Sequence, residues 1–382
     1  MRVGAQLDSR SARGWLTLLL GGWRRLVSDL KIPGTRYLVG GAVRDELLGI
    51  KPTERDWVIV GANPDTMIEA GFIPVGKAYP VYLHPETFEE HALARTEIKI
   101  GPGHGGFSFT NDSNVTLEQD LRRRDLTINA MAKSDAGELI DPYGGQRDLA
   151  AKALRHVSDA FAEDPLRCFR VARFAAQLPD FHIAPATLEL VRSMHAQLHE
   201  LSAERVWNEW VKAVEENAPH RFYEVLSDAQ ITEPWFHELA LGSLAATHKE
   251  RDLTRQGTFA LIGWLHSEEQ LDTFFDRLMA PRKAKSLALQ VCQTGRLFEH
   301  FDQLDNERAI DLLDKTGAFH GDSRFETFLD ALSCVTDIDA KTIRKLRKML
   351  RKVTATVEQG PLYGQTLRRN RINKLNEIRG AL

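Results

Sequence analysis

The chain has 382 residues, of which 43% are hydrophobic and 27% charged, and its net charge is near −3. This length allows two or more domains, and the composition excludes a disordered or fibrous protein. The charge gives no global sign of nucleic-acid binding, so any such site has to be a local patch.

The cysteines and the first residues bear on the compartment. Cys168, Cys292 and Cys334 lie far apart and form no C-x-x-C pair. This argues against a disulfide framework or a cysteine zinc site and favours a reducing, cytoplasmic location. Residues 1–34 are interpreted as an accessory extension, with an organellar targeting segment as the alternative because they are Arg-rich and acid-poor. Their longest apolar run, 15–20, is too short to span a membrane, so no membrane partner is expected.

The organisation changes near residue 150. Before that point short β-like runs mix with helices, and after it long helical periodicity dominates. We therefore expect an α+β fold: an N-terminal head with a small mixed sheet and helices, followed by an elongated all-helical remainder. The predicted strands are 37–39, 57–60, 80–83 and 91–99. The predicted domains are the extension 1–34, the head 35–152, the helical neck 153–230 and the helical body and tail 231–382.

Residues 37–49 read strand, Gly-Gly, helix. Gly40 and Gly41 let the backbone approach a ligand, and the helix that follows offers unpaired N–H groups to an anion. Arg44, one turn into that helix, adds a charge-assisted contact to phosphate. The alternative interpretation is a plain tight turn.

Two acids follow, at the start of the next strand. Residues i and i+2 of a strand point to the same face, so Glu54 and Asp56 can hold one hard cation, with Arg55 turned away. Magnesium is usually bound by one or two carboxylates plus substrate phosphates, and the pattern therefore predicts a Mg²⁺ site. A solvated strand edge is the alternative.

These motifs carry a family resemblance. G-G-A-V-R-D followed by E-R-D-W-V-I-V-G resembles the tRNA nucleotidyltransferase (CCA-adding enzyme) and bacterial poly(A) polymerase family, in which G-G-x-V-R-D precedes a metal-binding D-x-D. Glu54 departs from that pattern, because it stands where the first Asp is usual. The archaeal sibling class uses E-x-D, so the resemblance still implies a metal ligand, with one extra methylene to accommodate.

The next predictions concern residues 84–114. Glu90 alternates with apolar positions, and the resemblance aligns it with an acid ahead of Arg95-Thr96-Glu97 that can deprotonate or position an attacking hydroxyl. A surface glutamate is the alternative. Residues 101–114 contain G-x-G-x-x-G but no helix follows, so a loop is predicted rather than a dinucleotide site. The resemblance makes this loop the element that couples to the switch from C to A addition.

The segment R-R-R-D-L-T-I-N is predicted to begin an amphipathic helix. Asp125 and Asn129, at i and i+4, would then share one face and could hydrogen-bond ribose hydroxyls, while Arg124 neutralises a triphosphate. The motif matches the family's ribose-recognition motif. A solvated basic face is the alternative. The turn D-P-Y-G-G at 141–145 is interpreted as a structural connection.

A second helix carries an arginine stripe. Asp164 is the predicted N-cap, and Arg167, Arg170 and Arg173 recur every three residues among apolar neighbours. Buried cations require acceptor partners. The resemblance assigns E-D-x-x-R to base recognition, so that Asp164 and Arg167 read the base edge of CTP or ATP. Arg170 and Arg173 would reach phosphate or flanking nucleotide groups.

The C-terminal end suggests a partner. Residues 341–382 hold twelve Lys or Arg against two Glu, a local balance of +10. Such a basic segment typically follows a phosphate backbone, and the acceptor arm of tRNA is the expected ligand. A solvated tail is the alternative. The chain has no His-Asp dipeptide, so the HD phosphohydrolase domain of some relatives is expected to be absent.

The predicted activity is template-independent addition of C, C and A to the tRNA 3′ end with CTP, ATP and Mg²⁺. A poly(A) polymerase or a partial CC- or A-adding enzyme of the same family is the nearest alternative. A non-catalytic RNA-binding protein with a drifted metal site is the alternative of a different class. A monomer or weak homodimer is expected.

Overall fold

The computed structural model describes residues 31–75, 81–99, 107–110, 113–321, 323–355 and 362–380. The predicted extension therefore lies almost wholly outside the described residues, as does most of the predicted loop at 101–114. By its internal contacts the chain divides into two compact units. The first is Met1–Arg167 with Ile183–Thr187, and the second is Cys168–His182 with Leu188–Leu382.

The first unit is built on a seven-stranded sheet with the order β3-β4-β5-β2-β1-β8-β9. Only β2 and β5 run parallel, and every other described neighbouring pair with a defined register is antiparallel. The strands of this sheet are β1 (Thr35–Val39), β2 (Asp56–Val60), β3 (Ile73–Val75), β4 (Val81–Leu83), β5 (Glu90–Leu93), β8 (Ala132–Ser134) and β9 (Leu139–Ile140). The remaining strands are β6 (Thr96–Lys99), β7 (Phe107–Thr110), β10 (Ala153–Leu154) and β11 (His182–Ile183).

Both faces of this sheet are covered. One face buries Val39 and Val58 with Leu121 of a helix, and the other buries Ile59 with Met67 and further apolar side chains. This alternation is the period of two that an extended strand imposes. The head helices are α1 (Gly41–Leu47), α2 (Pro64–Glu69), α3 (Leu117–Arg122) and α4 (Gly145–Ala150), with 3-10 turns at Thr127–Asn129 and Asp159–Glu163.

Strands occur in all four predicted ranges, but one of those ranges contains two strands and other strands were not predicted. The predicted strand 91–99 is two strands, β5 and β6. The chain leaves the large sheet between them, where Ala94 still donates its N–H to the Ile59 carbonyl while Arg95 donates to Asp120 Oδ1 (3.3 Å). Residues 73–75 gave no signal, because Pro74 lies in a three-residue strand.

The second unit is helical apart from the short β11. Helix α5 (Leu166–Gln177) leads into it from the first unit. Its helices are α6 (Pro185–Ser193), α7 (Ala203–Ala213), α8 (His220–Asp228), α9 (Leu241–Glu250), α10 (Arg255–Leu265), α11 (Glu268–Arg277), α12 (Arg282–Glu299), α13 (Asn306–Lys315), α14 (Ser323–Ser333), α15 (Ala340–Leu350) and α16 (Tyr363–Gly380). Short 3-10 turns lie at His195–Glu200 and Phe301–Gln303.

Aromatic side chains fill the core of this unit. Trp210 is fully buried and meets Phe236 and Phe274 edge-on, at centroid distances of 6.1 Å and 5.4 Å. Its indole N–H donates to the Tyr223 hydroxyl at 3.2 Å, so this large ring is buried without an unpaired donor. Burial accordingly raises the pKa of Tyr223 above its ordinary value.

A glycine sets the distance between two of these helices. A Cβ placed on Gly263 of α10 would lie 2.1 Å from the carbonyl oxygen of Ala288 on α12. Real Cβ atoms do not approach backbone that closely, and so the two helix backbones meet directly at this point.

We expect Gly263→Ala to lower the melting temperature of the helical unit by the equivalent of roughly 1–3 kcal/mol, because the added methyl forces the helices apart. Gly242→Ala is the matched control: a Cβ there meets nothing within 4 Å. That substitution is expected to be neutral or slightly stabilising, since alanine is the better helix former. Thermal unfolding followed by circular dichroism measures both, and equal melting temperatures would contradict the packing argument.

Candidate active site

Four strands of the head sheet begin or end at the same level, so that their terminal residues form one row across the sheet. In the strand register Val39 lies opposite Asp56 on one side and Ala132 on the other, and Asp56 lies opposite Glu90. Directly opposed residues share a face of the sheet, so the Asp56 and Glu90 side chains project to the same side. The glycine turn begins immediately after Val39 and therefore at this same end.

The surroundings of Asp56 disfavour the charged form of its carboxylate. The residue is exposed at the start of the strand, but the surrounding protein atoms still desolvate its carboxylate. Desolvation raises the pKa of Asp56, the Arg124 guanidinium lowers it, and the Glu54 carboxylate raises it again; the net direction is upward. A divalent cation would relieve this arrangement.

Glu54 and Arg55 precede β2 rather than lie within it. Both are exposed, and the Arg55 guanidinium faces Glu46 of α1 at 3.9 Å. Glu54 is close enough to Asp56 to act on its pKa. The described part of the chain contains no group of three or more His, Cys, Asp or Glu side chains arranged to hold a metal ion. Two carboxylates with substrate phosphates are the number that Mg²⁺ commonly takes from a protein.

Gly40 has a backbone conformation that only glycine adopts readily, with φ 71° and ψ −135°. Its N–H donates to the Met131 carbonyl at 3.3 Å. This bond joins the turn to the residue that directly precedes β8. A Cβ at Gly40 would lie 3.1 Å from an Arg124 guanidinium nitrogen, which makes this the closest approach of the turn to a cation. Gly41 follows as the first residue of α1.

Arg44 was predicted to contact phosphate, and the structure gives it protein partners. The side chain is 4% exposed. It donates from Nη1 to Asn129 Oδ1 at 2.8 Å and from Nη2 and Nε to Asp45 Oδ1 at 2.7 and 2.9 Å. Arg44 therefore anchors α1 to the segment that carries Asn129, and its role towards phosphate stays a prediction.

The amphipathic helix predicted to carry Asp125 and Asn129 is wrong. Helix α3 ends at Arg122, and Leu126 is extended and pairs with His156. The Asp125 carboxylate accepts from Leu126 N (2.8 Å), which is how an aspartate competes with a helix for the backbone. The two predicted side chains still meet, because Asn129 Nδ2 donates to Asp125 Oδ1 at 3.1 Å.

A buried aspartate holds the neighbouring arginines. Asp120 is fully buried, accepts from Arg123 at 2.6 Å and forms an ion pair with Arg124 at 3.2 Å. Burial opposes its ionisation, but the two guanidinium groups and their hydrogen bonds keep the pKa of Asp120 below its usual range. Arg124 is thus fixed beside Gly40 while its side chain stays one-fifth exposed.

The turn after β9 packs against the segment that contains Thr127. Gly145 lies against it so closely that a Cβ would be 2.4 Å from the Thr127 carbonyl oxygen. The Thr127 hydroxyl donates to Asp148 Oδ2 (2.8 Å), and Arg155 Nε donates to the same carboxylate at 3.1 Å. The structural interpretation of this turn agrees with these contacts.

The arginines of α5 also have protein partners. Arg167, 8% exposed, donates to the carbonyls of Ala160 (2.5 Å) and Arg123 (2.6 Å). Asp164 Oδ1 accepts from Leu166 N at 3.1 Å, as expected at a helix start. The carbonyl of Arg123 precedes Arg124, so Arg167 is coupled to the triphosphate and ribose candidates through one peptide unit.

Further along α5, Arg173 is bound by two acids. Its Nε donates to Glu209 Oε2 at 2.7 Å, and Glu216 lies at 3.7 Å. Arg170 is one-third exposed and lies 3.8 Å from Glu209. The expectation that these cations need acceptors agrees with these contacts, and their contact with a nucleotide stays a prediction.

Sequence reasoning missed the acids that hold the arginines in place: Asp45, Asp120 and Glu209. For Asp120 a signal existed, because it precedes Arg123 and Arg124 by three and four positions. Asp45 adjoins Arg44 in sequence, and i, i+1 neighbours on a helix are not expected to pair. Glu209 is 36 positions from Arg173, and no local pattern joins them.

No helix in the described residues combines the length and apolar character needed to cross a bilayer.

Comparison with known proteins places the chain in a family. The family model for the poly A polymerase head domain matches residues 36–155, and that for the probable RNA- and SrmB-binding site of polymerase A matches residues 180–241. The chain is 42% identical over 338 residues to a CCA-adding enzyme of Coxiella burnetii, covering 86% of this chain and 89% of that protein. It is 43% identical over 350 residues to a multifunctional CCA protein of Neisseria meningitidis, with 81% and 83% coverage.

The chain therefore belongs to the family of CCA-adding nucleotidyltransferases, and the predicted resemblance is confirmed. It is a nucleotidyltransferase with a poly(A)-polymerase-type head. Enzymes of this family are in general metal-dependent.

Solved structures agree on the fold. The Bacillus stearothermophilus CCA-adding enzyme in complex with CTP superposes with a TM-score of 0.66 at 23% identity over 89% of each chain. The Thermotoga maritima CCA-adding enzyme complexed with tRNA gives 0.64 at 20% identity over 90% of this chain and 87% of that one. The predicted α+β class, with a mixed sheet in the head and helices beyond it, is confirmed.

We expect Asn129→Ala to destabilise the head by roughly 1–3 kcal/mol, because it removes two buried hydrogen bonds, one from Arg44 and one to Asp125. Urea unfolding followed through tryptophan fluorescence measures the loss. An unchanged midpoint would show that the Arg44–Asn129–Asp125 chain contributes nothing to stability.

We expect Asp56→Asn to raise the melting temperature of the metal-free protein at pH 7. The folded-state pKa of Asp56 is raised, so its ionisation weakens folding at pH values above the ordinary value of 3.8. The gain therefore shrinks as the pH falls through the folded-state pKa, and it vanishes well below 3.8, where the wild-type carboxyl is protonated in both states. Melts in EDTA across this range test the sign, and a lower melting temperature at pH 7 would refute it. Glu138→Gln, an exposed acid of the head, is the control.

Proposed function

We propose that the chain adds C, C and A to the 3′ end of tRNA that lacks them, using CTP and ATP with Mg²⁺. The observation that carries the proposal is the row in which Asp56 lies opposite Glu90 and beside the glycine turn. The relatives named CCA-adding enzyme supply the reaction, and this row supplies groups suited to it.

We assign Glu54 and Asp56 to the metal. Both present carboxylate oxygens, the donors that Mg²⁺ prefers, and both are exposed to an incoming ligand. The longer Glu54 side chain lies outside the strand, where the loop before β2 can accommodate its extra methylene. When bound, the ion stabilises charge on the attacking and leaving oxygens.

The remaining residues act on the substrates directly. The 3′-hydroxyl oxygen attacks the α-phosphorus, the bond from that phosphorus to the pyrophosphate oxygen breaks, and pyrophosphate leaves. Glu90 positions the hydroxyl and accepts its proton. Arg124, fixed by Asp120 next to Gly40, neutralises the triphosphate.

We assign ribose recognition to the hydrogen-bonded residues Arg44, Asn129 and Asp125, and base recognition to residues at the start of α5. Asn129 uses one of its two amide N–H bonds on Asp125, and the described residues leave the second one for a ribose hydroxyl. Arg44 holds the amide in that orientation. Asp164 and Arg167 offer an acceptor and a planar donor to the base edge, while Arg170 and Arg173 lie further along the same helix.

We expect purified protein to incorporate two CMP and then one AMP into tRNA lacking its CCA end, in a Mg²⁺-dependent manner. Asp56→Asn should lower incorporation by about 10²-fold or more, because several kcal/mol of charge stabilisation are lost. Glu54→Asp should remain active, and Glu138→Gln should match wild type. The 3′-labelled product ladder with each nucleotide in turn is the measurement.

Three outcomes overturn the proposal in different ways. A tail of A alone on arbitrary RNA would assign the chain to the poly(A) polymerases, and a ladder that stops after CC or begins at A would assign a partial enzyme. No incorporation by wild type together with a gain in Glu54→Asp would mean that the natural chain binds RNA without catalysis.

A further inference from the structure

A pocket of about 370 Å³ lies in the helical unit, among α12, α13 and α14. Its lining includes four cationic side chains and no carboxylate: Arg282, Lys285, Lys315 and Arg324. The pocket falls within the size range of small-molecule sites. In a chain whose net charge is near −3, four cations around one concavity create a strongly positive local potential.

Three of these cations are not neutralised. Lys285 forms ion pairs with Asp272 (2.8 Å) and Asp276 (2.6 Å), and its charge is thereby balanced. Within the described residues, the exposed side chains of Arg282, Lys315 and Arg324 form no ion pair or hydrogen bond. Like charges brought together in this way repel one another, and an anion in the pocket would remove that cost.

Several arginines elsewhere in the same unit do have acidic partners. Arg347 and Arg344 pair with Glu326, and Arg368 pairs with Asp311. Part of the positive charge that the sequence concentrates in residues 341–382 is thus balanced by carboxylates of the same unit. The cations of the pocket lie outside that basic segment, and no charge pattern in the sequence singled them out.

The floor of the pocket is polar and fixed. Gln290, 9% exposed, donates from Nε2 to the Thr316 carbonyl at 3.0 Å, and the Thr294 hydroxyl donates to the Gln290 carbonyl at 2.6 Å. On the wall, the described residues leave the Ser286 hydroxyl without a hydrogen-bond partner. Cations, a hydroxyl donor and a rigid floor make a site for an oxyanion.

We propose that this pocket binds a phosphate group, seated between the guanidinium groups of Arg282 and Arg324 and the Lys315 ammonium. One guanidinium group can donate two parallel hydrogen bonds to phosphate oxygens, and an ammonium group adds a point charge. The group can belong to a free polyphosphate, such as pyrophosphate, or to an RNA backbone. Only the RNA source rests on the proposed function.

The test compares two double variants of the full chain. Lys315→Gln with Arg324→Gln removes two charges from the pocket. Lys283→Gln with Arg308→Gln removes two exposed charges from α12 and α13, two of the helices around the pocket, at positions outside its lining. Calorimetric titration with pyrophosphate and fluorescence anisotropy with tRNA lacking CCA measure the two sources separately.

We expect the pocket variant to lose about tenfold or more in affinity for one of the two ligands, since charged hydrogen bonds are removed. The control should stay within about twofold of wild type. A loss in the pyrophosphate arm assigns a small polyphosphate, and a loss in the RNA arm alone assigns a backbone phosphate. Equal affinities of pocket variant and control in both arms overturn the proposal.

A second measurement uses the wild-type protein and does not depend on the folding of any variant. Acylation of lysines, followed by mass spectrometry, should show Lys315 protected by the bound ligand while Lys283 stays reactive. Both arms measure binding without CTP or ATP, so their outcome does not depend on whether the head catalyses nucleotide addition. A failure of catalysis is thereby distinguished from a failure of the pocket.

Discussion

The head depends on a buried hydrogen-bond chain that joins two segments far apart in sequence. Arg44 of α1 donates to Asn129, 85 positions later, and Asn129 donates to Asp125. A guanidinium that is 4% exposed needs every such acceptor, because an unpaired buried charge is costly. The glycine turn before α1 and the ribose candidates after α3 are therefore fixed relative to one another.

The acids of the site are held differently from the arginines. Asp56 and Glu90 owe their proximity to the pairing of β2 with β5, in which backbone bonds set the register. The arginines owe theirs to buried carboxylates, with Asp120 beside Arg124 and Glu209 beside Arg173. Within the head, acids fixed by the backbone and an Arg124 side chain fixed by Asp120 suit a site that must accept both a metal and a triphosphate.

The sequence was most informative where chemistry is local. The Gly-Gly turn, the acids at 54 and 56 and the arginine stripe of α5 could be placed from spacing alone. What required the structure is non-local: the Asp56–Glu90 register, the link from Arg44 to Asn129 and the ion pair of Arg173 with Glu209. The helix predicted to carry Asp125 and Asn129 is wrong because Leu126 pairs with His156, a tertiary contact that overrides local propensity.

The row at the sheet edge also has a consequence for synthesis on the ribosome. Its members come from positions 39, 56, 90 and 132, and the parallel pairing of β2 with β5 closes only after the intervening residues have folded back. A nascent chain that has emerged only as far as residue 120 lacks β8, Asn129 and the turn that supports them. The acids are then present without Arg124, and a ribosome-bound fragment stays catalytically incomplete until Asp164 and Arg167 have emerged as well.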